Sequence, residues 1–268
     1  MSAFLTRFAP SPTGRLHLGH AAAALHVWRA AEQAGTRPIL RIEDIDTTRC
    51  RPEYTQSIFE DLAWLGLDWP MPVRVQSQHF AEYAKTVAHL AGLGLAYRCF
   101  RTRSELADNS PAPLPIALER GYLDQARPFA WRLSLSAART HLGAAWNELS
   151  YTLQDGKTLR TVPADPHLHG DIVIARKDSS SAYHLAATHD DALQGITHVI
   201  RGVDLIDAPH IHTLLQVLMG WPQPIYQHHP LINGPDGKRL SKTDQSVSLA
   251  ALRERGMSVS EIRQQLGF

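Results

Sequence analysis

Apolar positions recur along the chain in two rhythms, and the switches between them mark its elements. Residues 3–8 form a short apolar run of strand type. Residues 21–34, rich in Ala, Leu and Val and including Trp28, read as a helix that Gly35 ends. Residues 37–43 alternate and predict a second strand, which closes a βαβ unit with a parallel sheet. Residues 53–65 and 78–90 carry apolar side chains at helical spacing, and 95–100 reads as a strand. The βα alternation then breaks. A Pro-rich loop at 108–115 precedes scattered strand-like pieces at 129–135 and 172–176. From residue 183 the rhythm returns: a buried-strand run at 196–200, a helix at 209–219 that Asp207 is placed to cap, and two short helices at 249–255 and 259–266.

This order predicts an α/β fold. Residues 1–98 form the first half of a catalytic domain, 99–180 an inserted α+β module, 181–225 the second half, and 226–268 a basic loop with terminal helices. A hydrophobic mini-core of Phe129, Trp131, Leu133 and Trp146 is expected to hold the insertion together.

Composition narrows the class. Of 268 residues 44% are hydrophobic and 20% charged, ordinary for a globular protein. No apolar run approaches the roughly 20 residues of a membrane span, and no secretory signal is visible. Two cysteines, Cys50 and Cys99, argue against a disulfide scaffold and point to a reducing cytoplasm. Net charge is +1, so any nucleic-acid contact must rest on local patches.

The candidate chemistry sits where strands end. After the first strand comes Arg7-Phe-Ala-Pro-Ser-Pro-Thr-Gly-Arg-Leu-His-Leu-Gly-His20, whose prolines and Gly14 force a tight turn. His17 and His20 stand three residues apart at the mouth of the helix, on one face. A helix N-terminus suits a phosphate, and Gly19 leaves room for close approach. After the second strand, Arg41-Ile-Glu-Asp-Ile-Asp-Thr-Thr-Arg49 packs acids and bases together. Asp46 or Thr47 can cap the next helix there, while Glu43 can take a substrate ammonium. Arg201, at the end of a third strand, reads as a carboxylate clamp. Ligands of open parallel sheets bind beyond the carboxyl ends of strands, so Arg7, Glu43 and Arg201 are expected in one crevice. Gly234-Pro-Asp-Gly-Lys-Arg-Leu-Ser-Lys-Thr243 is a glycine turn with a basic loop.

Together these segments resemble the glutamyl subgroup of class I aminoacyl-tRNA synthetases. His17-Leu-Gly-His20 matches the HIGH signature, with Phe-Ala-Pro-Ser-Pro-Thr-Gly as its glutamyl-type flank. Arg239-Leu-Ser-Lys-Thr243 occupies the five places of the KMSKS loop, with Arg239 for its first lysine. Residues 41–46, the Tyr183…Asp190-Asp191 segment and Thr197-His-Val-Ile-Arg-Gly202 match the glutamate-site segments. The resemblance implies a Rossmann-like catalytic domain that takes ATP with Mg²⁺ and L-glutamate. It places His17, Gly19, His20, Arg239, Ser241 and Lys242 on ATP, with His17, His20 and Lys242 catalytic. It places Arg7, Phe8, Ala9, Pro10, Ser11, Glu43, Tyr183 and Arg201 on glutamate.

Two departures matter. The zinc site common in the queuosine-modifying branch starts with Cys-x-Cys. Here Arg101 replaces the second Cys, leaving Cys99 and Tyr122, so no zinc is expected. Only 25 residues follow Thr243, too few for an anticodon-binding domain. With Val203-Asp-Leu-Ile206, this points to the queuosine-modifying branch, whose partner is the queuosine-bearing anticodon arm of tRNA(Asp). A monomer is expected. The alternatives are a minimal enzyme charging the 3′ end of tRNA(Glu), and a non-catalytic paralogue that binds nucleotide or tRNA.

Overall fold

The computed structural model describes residues 3–101, 128–231 and 247–268. Strand β1 (Arg7–Phe8) runs into helix α1 (Leu18–Gln33), which returns to β2 (Ile39–Ile42); α2 (Pro52–Trp64) then leads to β3 (Arg74–Val75). The three strands pair in parallel, Arg7 beside Ile39 and Arg41 beside Arg74. Helix α1 starts three residues earlier than the Ala-rich run, because Leu18-Gly-His20, just past the expected mouth at His17, already belongs to its first turn. Its end conforms: Gly35 sits at φ +68°, a left-handed conformation that costs a glycine nothing. Helix α2 starts at Pro52 after Arg51, so neither Asp46 nor Thr47 caps it.

Helix α3 (Phe80–Gly92) leads to β4 (Ala96–Cys99), which pairs antiparallel with β5 (Ala130–Leu133). Helix α4 (Leu135–Leu142), the hairpin β6 (Ser150–Asp155) and β7 (Thr158–Pro163), and β8 (Val173–Ala175) follow. Then come α5 (Tyr183–Leu193), β9 (His198–Gly202), α6 (Ala208–Met219), β10 (Ile225–His229), α7 (Leu249–Glu254) and α8 (Val259–Gln265). Asp207 stands at the N-cap of α6, but its side chain makes no cap bond.

Strand β10 lies between β9 and β6 and is parallel to both. The halves of the layer meet where the Thr197 and His198 amides both donate to the Leu5 carbonyl, at 2.9 and 3.0 Å. The order is then β3–β2–β1–β9–β10–β6–β7, with the chain reversing direction of progress between β1 and β9. That reversal opens a crevice at the carboxyl ends of these strands.

The middle of the chain is not a body apart. Strands β6 and β7, within the expected insertion, extend the catalytic sheet. Nor do Leu133 and Trp146 form a private mini-core. They belong to one buried cluster with Leu90 of α3 and with Ile211, Leu214 and Leu215 of α6, and Trp131 packs against it. Phe129 stays at the edge, its ring against Phe100 and Trp131 and under the Arg98 guanidinium. A second cluster unites α1, α2, α7 and α8.

Candidate active site

The mouth of α1 is built from its two histidines. His17, extended at φ −128° and ψ 176°, accepts the Gly19 amide on Nδ1 at 3.1 Å. His20 accepts the His17 amide on its own Nδ1 at 3.2 Å. The two rings thus perform the reciprocal capping that Ser and Glu perform elsewhere, and their centroids lie 3.9 Å apart. With Nδ1 as acceptor, each ring carries its N–H on Nε2, on the side away from the helix amides. Two helix-mouth amides are therefore taken, and a phosphate here meets imidazole donors more than bare backbone. Gly19 is required for the same reason: a Cβ would lie 3.0 Å from His17 Cε1. The returning chain closes over this mouth, with Ser248 bridged to His17 and the Leu249 amide donating to the Leu16 carbonyl at 2.8 Å.

Beyond the histidines lies a cleft of about 620 Å³. Arg7, Phe8, Ala9, Pro10, Ser11, Glu43, Tyr183 and Arg201 all line it, with His17, Gly19 and His20. Three strand ends and the start of α5 bring them together, as strand-end placement predicts. Arg239, Ser241 and Lys242 lie outside the described residues. The described chain on either side, Leu231 in the cleft wall and Ser248 at His17, borders the site.

The floor is a buried ion network. Arg7 binds Asp191 in bidentate fashion, Nε to Oδ1 at 2.9 Å and Nη2 to Oδ2 at 3.2 Å. Arg41, fully buried, places Nη2 2.8 Å from Asp191 and 3.1 Å from Glu43. Arg74 reaches Asp190 at 2.9 Å, and Tyr83 and Gln76 also donate to Asp190. Arg201 differs. It is 6% exposed, its Nε donates to His228 at 3.5 Å, and its Nη1 and Nη2 have no hydrogen-bond partner among the described residues. Arg7, Arg41 and Arg201 are buried with Glu43, Asp190 and Asp191, while half-buried Arg74 also pairs with Glu82; of these arginines Arg201 is the one that meets no acid among the described residues.

Burial tunes these groups. It raises the Glu43 carboxyl above its ordinary range even though Arg41 and Arg7 oppose the shift. At Asp191 burial also pushes upward, but Arg7 and Arg41 overrule it and hold the group low. Behind Tyr183, whose phenol burial raises, His184 and His212 share a hydrogen bond of 3.2 Å. Burial lowers both imidazoles, His184 to about 4.

A smaller chamber of about 300 Å³ opens beside the cleft and shares Ser11, Glu43 and Tyr183 with it. Here Asp46 accepts from Thr48, Arg49 and Arg176, bonds that hold its carboxyl well below the usual range. Asp46 is thus a clasp between the β2 loop and the residue after β8, not a helix cap. Cys99 is buried in β4, and Tyr122 lies outside the described residues. Among the described residues no three His, Cys, Asp or Glu side chains group as metal ligands.

Arg41, Asp190 and Asp191 emerge as site-building residues to which the sequence assigned no role. Their signal was present, in charged residues placed within a strand and inside a helix otherwise rich in Ala and Leu.

Residues 3–130 and 140–266 match the family profile of the catalytic domain of class I tRNA synthetases for Glu and Gln (E and Q), and the chain belongs to this family of ligases. Within it, the chain is similar to the glutamyl-Q tRNA(Asp) synthetase of Rhodobacter capsulatus, 38% identical over 288 residues, covering 98% of this chain and 100% of that one. A protein of the same name from Nitratidesulfovibrio vulgaris is 38% identical over 96% of this chain and 83% of its own length. The crystal structure of a glutamate tRNA ligase from Elizabethkingia meningosepticum, solved with its amino acid, superposes with a TM-score of 0.72 at 30% identity. That match covers 91% of this chain and 52% of the ligase, so the chain spans about half the ligase's length. These relatives support a glutamate–tRNA ligase-like activity. Among the described residues no helix is long and apolar enough to cross a membrane.

Proposed function

We propose that the chain activates L-glutamate with ATP and transfers the glutamyl group to the queuosine base at the wobble position of tRNA(Asp). The observation that carries the glutamate reading is Arg201, a buried guanidinium in the cleft wall with two nitrogens unmet among the described residues. Glutamate brings a second carboxylate that can accept from those nitrogens as an anion. The side-chain amide of glutamine offers no charge to compensate the guanidinium.

In the first step an oxygen of the glutamate α-carboxylate attacks the α-phosphorus of ATP, and pyrophosphate leaves with the electron pair of the broken P–O bond. Mg²⁺ enters with ATP as part of the substrate. The Nε2–H donors of His17 and His20, with Lys242, stabilise the charge that builds on the phosphate oxygens. Arg239 and Ser241 bind the same nucleotide. Arg7 and Arg201 hold carboxylates, Glu43 accepts the ammonium, and Phe8, Ala9, Pro10, Ser11 and Tyr183 shape the wall. In the second step a hydroxyl of the queuosine cyclopentene ring attacks the activated carbonyl and AMP leaves.

The queuosine target is supported by the near-complete coverage of relatives bearing that name and by Val203-Asp-Leu-Ile206. The structural match to a glutamate tRNA ligase favours, as second reading, charging of the 3′ end of tRNA(Glu). A non-catalytic paralogue is disfavoured by the intact histidine cap facing the cleft. The enzyme acts in the cytoplasm as a monomer and carries no zinc, because Arg101 stands where a second thiolate is needed.

The test is transfer of labelled glutamate to bulk tRNA prepared with and without queuosine. Labelling only of queuosine-containing tRNA(Asp) is expected. Labelling of tRNA(Glu) irrespective of queuosine would establish the second reading. Absence of both labelling and glutamate-dependent pyrophosphate exchange would establish the non-catalytic one.

A further inference from the structure

Two of the cleft's charged residues do not stand alone. Arg7 is held by both oxygens of Asp191, and Glu43 receives a donor of Arg41 whose other acceptor is that same carboxylate. Asp191 and Arg41 are themselves outside the cleft wall, while Arg7 and Glu43 are in it. Asp191 therefore sits behind the site, 4% exposed, between two guanidiniums and Glu43 of the cleft wall.

With Asp191 neutral, Arg7 and Arg41 would share a single nearby acid in the cleft wall. Asp190, 3.9 Å from Arg41 Nε, is already occupied by Arg74, Gln76 and Tyr83. Both guanidiniums would then turn their donors to Glu43, since a buried unpaired charge is far costlier than a shifted side chain. A carboxylate engaged by two arginines is overcompensated in charge and has few of its lone-pair positions left for an ammonium group.

We propose that Asp191 is a positioning residue for amino-acid recognition: by clamping Arg7 and sharing Arg41, it keeps the Glu43 carboxylate available to the ligand's α-ammonium. The proposal rests on the glutamate reading above. It assigns Asp191 no contact with substrate, and it separates recognition of the amine, through Glu43, from recognition of the carboxylates, through Arg7 and Arg201.

The experiment compares glutamate with glutarate, the dicarboxylate that lacks the amine, on the full chain. In Asp191→Asn the KM for glutamate in pyrophosphate exchange should rise about tenfold or more, with kcat held within about threefold. Inhibition by glutarate, which still meets Arg201, should weaken by no more than about threefold. Equal weakening of glutamate and glutarate would mean that Asp191 only supports the fold, and unchanged KM would mean that it does not act; either overturns the proposal. Should Asp191→Asn not fold, Glu43→Gln carries the same test. It must weaken glutamate while sparing glutarate, and parallel losses would refute the proposed amine-specific role of Glu43. Calorimetry of wild type with glutamate alone separates the two levels. No binding there overturns the glutamate reading itself, whereas binding with parallel losses in the variants overturns only the positioning role.

Discussion

His17 and His20 each accept the other's end of the helix, the Gly19 amide on one ring and the His17 amide on the other, at 3.1 and 3.2 Å. One pair of side chains thus starts α1 and fixes which nitrogen of each ring carries its proton. Stability and chemistry separate only if a substitution keeps the acceptor and loses the imidazole.

His17→Asn should do this. Asn is a good N-cap, so the melting temperature should stay near wild type. Pyrophosphate exchange should fall about a hundredfold, equivalent to about 3 kcal/mol of transition-state stabilisation. His17→Ala should lose the same rate and also about 1 kcal/mol of stability. An Asn variant with undiminished exchange would remove the ring from the chemistry.

Arg201 should behave in the opposite sense. Its two unpartnered nitrogens make the guanidinium a burden on the ligand-free fold. Arg201→Met is expected to raise stability by about 1 kcal/mol in chemical denaturation while raising the KM for glutamate about a hundredfold or more. A lower denaturation midpoint would show that the charge supports the fold.

Asp61 sets a pH dependence far from the cleft. It is fully buried in α2, 3.8 Å from Arg253 of α7, and burial pushes its carboxyl up to about 6 against the pull of Arg253 and Arg15. An unfolded chain binds that proton only near pH 3.9, so between about pH 4 and pH 6 the folded state binds more protons. Stability contributed by the protonated form is thus lost as pH rises through this window, on the order of 2 kcal/mol, with no further change from this group above it. Asp61→Asn should flatten the slope and melt higher than wild type at pH 8. A slope that survives the substitution would assign it elsewhere.

Metal analysis of the purified protein should find no stoichiometric zinc, and a chelator should leave the melting curve in place. One zinc per chain would show that other residues replace the missing thiolates.

Trp131→Ala should cost about 2–3 kcal/mol, less than a fully buried tryptophan because the ring is only half-buried at the edge of the shared cluster. A loss of unfolding free energy in urea below about 0.5 kcal/mol would leave Phe129 and its neighbours as mere surface.

The strand-end logic was legible in the residues. Arg7, Glu43 and Arg201 could be placed in one crevice because each follows an apolar run whose direction a parallel sheet dictates. The mouth of α1 was legible at His17 and His20, but their capping role was not, since capping by histidine breaks the Ser/Thr/Asp habit. Asp46 was misread as a cap because a short acid near a helix usually is one, and its partner Arg176 lies 130 residues away. Arg41 and Asp191 fell in segments the sequence singled out, but their pairing was not legible for a related reason. Partners 150 residues apart leave no local signature of whom a charge meets, so a buried charge reads like a solvated one.

The mixed ancestry of the large apolar cluster has a consequence for how the molecule comes apart. Leu133 and Trp146, from the stretch that looks inserted, share their packing with Leu90 and Leu214, from the helices that carry the cleft-forming strands. Strands β6 and β7 from the same stretch are hydrogen-bonded into the main layer. Excising that stretch would therefore strip one face of the half that carries the cleft and bare a sheet edge. Heating should melt the described parts together in a single cooperative step, with no smaller autonomous core to be isolated by trimming.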